Sequence, residues 1–258
     1  MLGARVLGAF VLAPVVLGAA YLGGAPLSAL VFVGSVLGLA ELRNMLARRE
    51  VHLWFCAGVV ASGLFAASAL AGNPIVLLCI VAASTMSTLA FPVLSRQSVL
   101  QTDVAATLYG ILYVPYLASH VVLLRRLGVW PLALAIGATW SCDVFAYFAG
   151  KAFGRHKLLP RVSPGKSWEG TIAGVLAATA FAVLAGRYAL LPLSTSVVAG
   201  VLLGTVGQVG DLAESALKRY CGVKDSGSLI PGHGGVLDRF DSLLFNGTAL
   251  YYFLTLVK

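Results

Sequence analysis

Gly210–Ser242 reads G-D-L-A-E-S-A-L-K-R-Y-C-G-V-K-D-S-G-S-L-I-P-G-H-G-G-V-L-D-R-F-D-S. It holds Asp211, Glu214, Asp225, Asp238 and Asp241, half of the chain's 10 acidic residues, with Lys218, Arg219, Lys224 and Arg239 among its 18 Lys and Arg. Both flanks are strongly apolar. A chain poor in charge that concentrates its charge between two hydrophobic runs is building a polar site at a membrane surface.

The rest of the 258 residues supports that frame. Hydrophobic residues make up 59% and charged residues 11%, against about 25% charged in an ordinary soluble domain. The apolar runs are long and continuous, which favours helices over the short alternating segments of a membrane β-barrel. The expected fold is an all-α polytopic membrane protein of about nine transmembrane helices. The spans run near residues 4–21, 27–46, 53–70, 74–92, 104–124, 129–150, 168–188, 195–217 and 243–257. Arg5 and the apolar run after it resemble a signal peptide, but further spans follow at once, so the first is read as a retained helix.

With the N-terminus inside, fourteen of the 18 basic residues fall on the cytoplasmic side, which places the polar loops there. Arg125, Arg126, Arg187 and Lys258 fall outside, and the Arg125–Arg126 pair is the local contradiction. The net charge of +8 suits anionic headgroups and a polyanionic substrate. Nucleic acid is not indicated, because no basic stretch is interleaved with exposed aromatics. Cys56, Cys79, Cys142 and Cys221 form no C-x-x-C pair, which excludes the usual zinc and redox patterns.

Two parts of unequal information follow. Residues 1–124 are packing helices with only Glu41, Glu50 and Asp103 as acids. Glu41 reads as an interfacial carboxylate reaching water, the other reading being a polar contact inside the bundle. His52 and His120 read as packing or interface residues. Residues 125–258 carry the site. Asp143 lies within a span, where an unpaired carboxylate costs about 2.5–3.5 kcal/mol and signals function. A basic loop follows, and Ser163–Gly170 reads as a helix start with anion-binding potential. Gly165-Lys166-Ser167 is not a P-loop, because Pro160 stands where that motif needs glycine.

Asp211, Glu214, Ser215 and Lys218 at i, i+3, i+4 and i+7 share one helix face. Gly200-x-x-x-Gly204 reads as a close helix-packing element. Glycines around His233 let backbone N–H groups approach a phosphate. Asp238 and Asp241 share a face at the entry of the last helix, and Asp211 and Asp238 can meet across neighbouring helices to hold Mg²⁺. Lys218, Arg219, Lys224 and Arg239 would neutralise phosphate oxygens. These residue types suggest metal-assisted phosphoryl or nucleotidyl transfer, with an ion transporter as the rival reading.

The pattern Ser215-x-x-Lys218-Arg219-x4-Lys224-Asp225-x-Gly227-x2-Ile230-Pro231-x-His233-Gly234-Gly235-x-x-Asp238-Arg239-x-Asp241 resembles the defining motif of the phosphatidate cytidylyltransferase (CDP-diacylglycerol synthase) family. Asp143-x-Phe145-Ala146-Tyr147-x-x-Gly150-Lys151-x-x-Gly154 and Ser163-Pro164-x-Lys166-Ser167-x-Glu169-Gly170 resemble it too, as does Gly210-Asp211-x-x-Glu214-Ser215. Cys142 departs from it, standing where relatives often carry Asn. The resemblance covers residues 140–242.

It implies that CTP and phosphatidate give CDP-diacylglycerol and pyrophosphate, in an integral membrane protein of the bacterial inner membrane with its site facing the cytoplasm. It implies Mg²⁺, with a second cation and a homodimer left open. The implied catalytic set is Asp211, Asp238, Lys218, Arg239 and His233. The implied substrate-binding set is Lys166, Ser163, Ser167, Ser215, Arg219, Lys224, Asp225, Gly234, Gly235 and Asp143. The metal ligands would be Asp211, Asp238 and Asp241, while Asp225 and Glu169 would position basic residues. A CTP-dependent enzyme acting on another lipid phosphate or a polyprenol is the nearest alternative.

Overall fold

The computed structural model describes residues 14–95, 100–229 and 234–257. The start of the first expected span, Ile230–Pro231 and His233 lie outside the described residues. The chain is, among the described residues, an all-α membrane protein but for one short hairpin. Among the described residues, six helices are long and apolar enough to cross a membrane: Gly24–Ala47, Pro74–Ser95, Gln101–Arg126, Val129–Phe153, Trp168–Gly186 and Leu193–Tyr220.

The helices are α1 (residues 14–22), α2 (Gly24–Ala47), α3 (Phe55–Ala71), α4 (Pro74–Ser95), α5 (Gln101–Ile111), α6 (Leu117–Arg126), α7 (Val129–Phe153), α8 (Trp168–Gly186), α9 (Leu193–Tyr220) and α10 (Leu237–Val257). A π turn, Leu112–Tyr116, joins α5 to α6 and contains Pro115. Proline has no N–H for the regular ladder, and a π turn is one way for a helix to continue past it. Met1–Arg126 with Cys221–Arg239 form one compact unit, and Leu127–Tyr220 with Phe240–Lys258 form a second. The motif segment after Tyr220 therefore folds with the N-terminal helices.

In the first unit, polar groups are used at helix ends. Asn73 caps α4 by accepting from the N–H groups of Ile75 (3.0 Å) and Val76 (3.3 Å), with Pro74 at the first helical position where no donor is lost. Asp103 in the first turn of α5 accepts from His52 N–H at 2.8 Å, and Thr107 Oγ1 accepts from Trp54 N–H at 3.1 Å. These two side chains fix the connection into α3.

The arginine pair that runs against the charge asymmetry finds its reason here. Arg125 donates to the carbonyls of Ala20 (2.8 Å) and Tyr21 (2.6 Å), and Arg126 to that of Leu70 (2.6 Å). The last carbonyls of a helix have no intrahelical donor and carry partial negative charge. His120 is fully buried, with Nδ1 2.9 Å from the Tyr116 carbonyl, which is the packing role expected of it.

In the second unit, α8 packs on α7 and α9 through small residues. A Cβ at Gly204 would come 2.8 Å from Val175 Cα, and one at Gly200 would overlap Thr179. The G-x-x-x-G element is a packing element, as its spacing suggests. The helix start expected within Ser163–Gly170 is at Trp168, but the residues before it form a strand that the sequence did not suggest. Ser163–Ser167 is strand β2, paired antiparallel with β1 (Lys157–Leu159), and α8 begins only at Trp168. Pro164 and Gly165 disfavour helix there, and Ser167 is the N-cap, its Oγ accepting from Gly170 N–H at 3.2 Å.

Candidate functional site

The site residues of the second unit gather on the C-terminal half of α9. Asp211, Glu214, Ser215 and Lys218 face one way, as the spacing requires. Asp211 Oδ2 is 2.6 Å from Lys166 Nζ on the hairpin, and its Oδ1 accepts from Ser215 Oγ at 3.2 Å. Glu214 is fully buried and paired with Lys218 Nζ at 2.8 Å. Asp241, in α10, lies close enough to Asp211 and Glu214 for their negative charges to act on one another. The backbone of α10 comes close because Gly210 has no side chain: a Cβ there would be 2.9 Å from the Asp241 carbonyl oxygen.

Carboxylates gathered this closely repel one another, and a bound cation would relieve that repulsion. Among the described residues, no group of three or more His, Cys, Asp or Glu is arranged as a ready-made cage. Mg²⁺ commonly takes only one or two carboxylates and completes its shell with water and substrate phosphates. A pair such as Asp211 and Asp241 fits that need.

Further cations stand in the same unit. Arg219, exposed on α9, donates from Nε to the Val162 carbonyl at 3.2 Å, tying the hairpin turn to the helix. Lys151, Arg155, His156, Lys157 and Arg161 are all exposed on or near the hairpin. Glu169 accepts from the N–H of His156 (3.2 Å) and lies 2.7 Å from its ring Nδ1. Ser163 opens β2, and Asp143 is exposed on α7.

The motif residues of the first unit behave differently. Asp238 Oδ2 accepts from Ser226 N–H (2.9 Å) and Gly235 N–H (2.8 Å), and Ser226 Oγ lies 3.0 Å away. The Gly235 N–H, expected to face a phosphate, thus faces a carboxylate of its own chain. Gly234 has φ +85, and a Cβ there would lie 2.5 Å from Asp238 Oδ2. Lys224, Asp225 and Arg239 are exposed.

The expectation that Glu41 reaches water is overturned. Glu41 is 7% exposed and accepts from Val236 N–H (2.8 Å) and Leu237 N–H (3.0 Å), with Ser226 Oγ 2.8 Å from Oε2. A carboxylate this deep needs such donors to offset its lost hydration. Ser226 was not singled out from the sequence either. The one available signal was a carboxylate in a membrane-length helix, which demands a partner.

Comparison with known proteins accords with this geometry. A model of the cytidylyltransferase family matches residues 3–257. A Brucella abortus biovar 1 (strain 9-941) protein named phosphatidate cytidylyltransferase is 45% identical over 148 residues, 56% of this chain and 55% of that protein. One of the same name from Bacillus subtilis (strain 168) is 38% identical over 173 residues, 65% of this chain and 64% of that protein. Phosphatidate cytidylyltransferase 4, chloroplastic, of Arabidopsis thaliana is 41% identical over 180 residues, 59% of this chain and 46% of that protein. The chain thus spans about half the length of the curated relatives it matches.

Proposed function

Because the chain belongs to the cytidylyltransferase family, we propose that it transfers the cytidylyl group of CTP to phosphatidate. A phosphatidate oxygen attacks the α-phosphorus of CTP, the bond to the β-phosphate breaks, and pyrophosphate leaves with that bond's electrons. The nucleophile is already ionised, so no Ser, Cys or His nucleophile is needed. The difficulty is the approach of two polyanions, which positioning and positive charge relieve. The observation that carries this reading is the half-buried Lys166–Asp211 pair, set beside Asp241 at the end of a membrane-length helix.

Lys166 is poised to exchange its carboxylate for a phosphate oxygen. Lys218, Arg219, Lys224 and Arg239 neutralise further phosphate oxygens, with Ser163, Ser167 and Ser215 as neutral donors. Asp211 and Asp241 would hold Mg²⁺, while Asp238 serves its own loop through Oδ2. Mg²⁺, if bound there, would supply positive charge to offset that of the phosphates. The finer topology belongs to the same proposal: nine crossings, with the polar loops at the cytoplasmic face of a bacterial inner membrane, where CTP and a lipid phosphate both arrive. The basic hairpin and the charge asymmetry of the loops support it.

The deciding experiment supplies purified protein with CTP, Mg²⁺ and phosphatidate in mixed micelles. The expected result is pyrophosphate release with stoichiometric CDP-diacylglycerol. Turnover with a polyprenyl phosphate and none with phosphatidate would overturn the substrate assignment.

A further inference from the structure

Glu41 belongs to none of the motifs, yet it holds one of them in place. It lies on α2, and its hydrogen-bond partners are 185–196 residues further along the chain. Oε1 accepts from Val236 N–H, and Oε2 accepts from Leu237 N–H. Val236 and Leu237 are where α10 begins, and the first N–H groups of a helix have no intrahelical acceptor. A carboxylate there satisfies two such donors and meets the positive end of the helix.

The same carboxylate reaches the other shoulder of the motif. Ser226 Oγ sits 2.8 Å from Glu41 Oε2 and 3.0 Å from Asp238 Oδ2. Its single proton serves one acceptor at a time, so Ser226 bridges the two acids. Gly227 and Gly235 lack side chains where Glu41 passes: a Cβ at Gly227 would come 2.8 Å from Oε1, and one at Gly235 would overlap the carboxylate. Two motif glycines are thereby accounted for by the approach of Glu41 rather than by a ligand.

We propose that Glu41 is a positioning residue for the reaction, fixing where α10 starts and hence where Asp238 and Arg239 stand. The inference rests on the cytidylyl-transfer reading above. The carboxylate is chemically specific. Glutamine keeps one acceptor oxygen and presents an NH₂ group to donors that need an acceptor, so it preserves shape and loses half of the clamp.

The test compares wild type, Glu41→Gln and Glu41→Ala in the full chain, purified in detergent. Amide hydrogen exchange at Val236 and Leu237 should quicken in Glu41→Ala, with Glu41→Gln intermediate and the ends of α7 and α9 unchanged. The KM for CTP should rise by about tenfold, the lower end of the scale on which outer-shell partners of metal-site residues act. A merely destabilised protein would lose active fraction and keep its KM. Wild-type exchange at Val236 and Leu237, or an unchanged KM with that exchange quickened, overturns the inference. Exchange needs no turnover, so an inactive wild type would remove the proposed reaction and still leave the clamp to be judged. Should Glu41→Ala fail to fold, Glu41→Gln carries the same comparison.

Discussion

Two acids of the second unit and three of the first are held in different ways. In the second unit, Asp211 faces Lys166 and Glu214 faces Lys218, carboxylate against ammonium. In the first unit, Glu41, Asp103 and Asp238 accept from backbone N–H groups of Val236, Leu237, His52, Ser226 and Gly235. A carboxylate on N–H groups sets the course of the backbone, because those donors cannot move without moving the chain. Lys166, on the partly exposed Asp211, is a flexible cation that can be handed to a phosphate, whereas Lys218 is held by the buried Glu214. Residue type alone does not separate these uses.

The hardest strain on this comparison comes from Lys218→Met. Glu214 has no exposure, and removing one partner of a buried pair costs about 3–5 kcal/mol. Thermal melting should show the loss, and the double variant with Glu214→Gln should recover most of it. A single variant as stable as wild type would mean that Glu214 is neutralised by other means.

Next is Asp211→Asn. Its side chain and that of Lys166 are 30% and 24% exposed, and partly solvated pairs contribute about 0–1 kcal/mol to stability. Melting should scarcely move, while turnover should fall by about 10²–10³, the scale of losing one electrostatic contact to a transition state. Full turnover at unchanged Mg²⁺ dependence would remove Asp211 from the chemistry. The smallest effect belongs to Gly234→Ala. At φ +85, alanine costs about 1–2 kcal/mol in left-handed backbone. Exchange at Gly235 and Ser226, both bound to Asp238, should quicken first, with melting following slightly.

Much of the helical frame is legible in the sequence, because hydrocarbon-length apolar runs leave few alternatives. Val129 and Trp168 start helices where the runs start. The hairpin over Lys157–Ser167 was not legible: K-L-L and S-P-G-K-S are too short and too exposed to alternate. The stripe Asp211, Glu214, Ser215 and Lys218 was legible from helical spacing alone. That Lys166 would meet Asp211 was not, since the two are far apart in the chain and joined only by the packing of β2 on α9.

Composition and periodicity by themselves determined a helical membrane protein, and the motif with its local spacing picked out the acids and cations of the site. Those properties are written in runs of neighbouring residues. The tertiary structure decided what each acid does. It buried Glu41 under a loop 185 residues away, turned Gly235 N–H toward Asp238, and sent Arg125 and Arg126 to helix ends. A charge removed from water must find a partner, and which partner lies within 3 Å is settled only when distant segments pack.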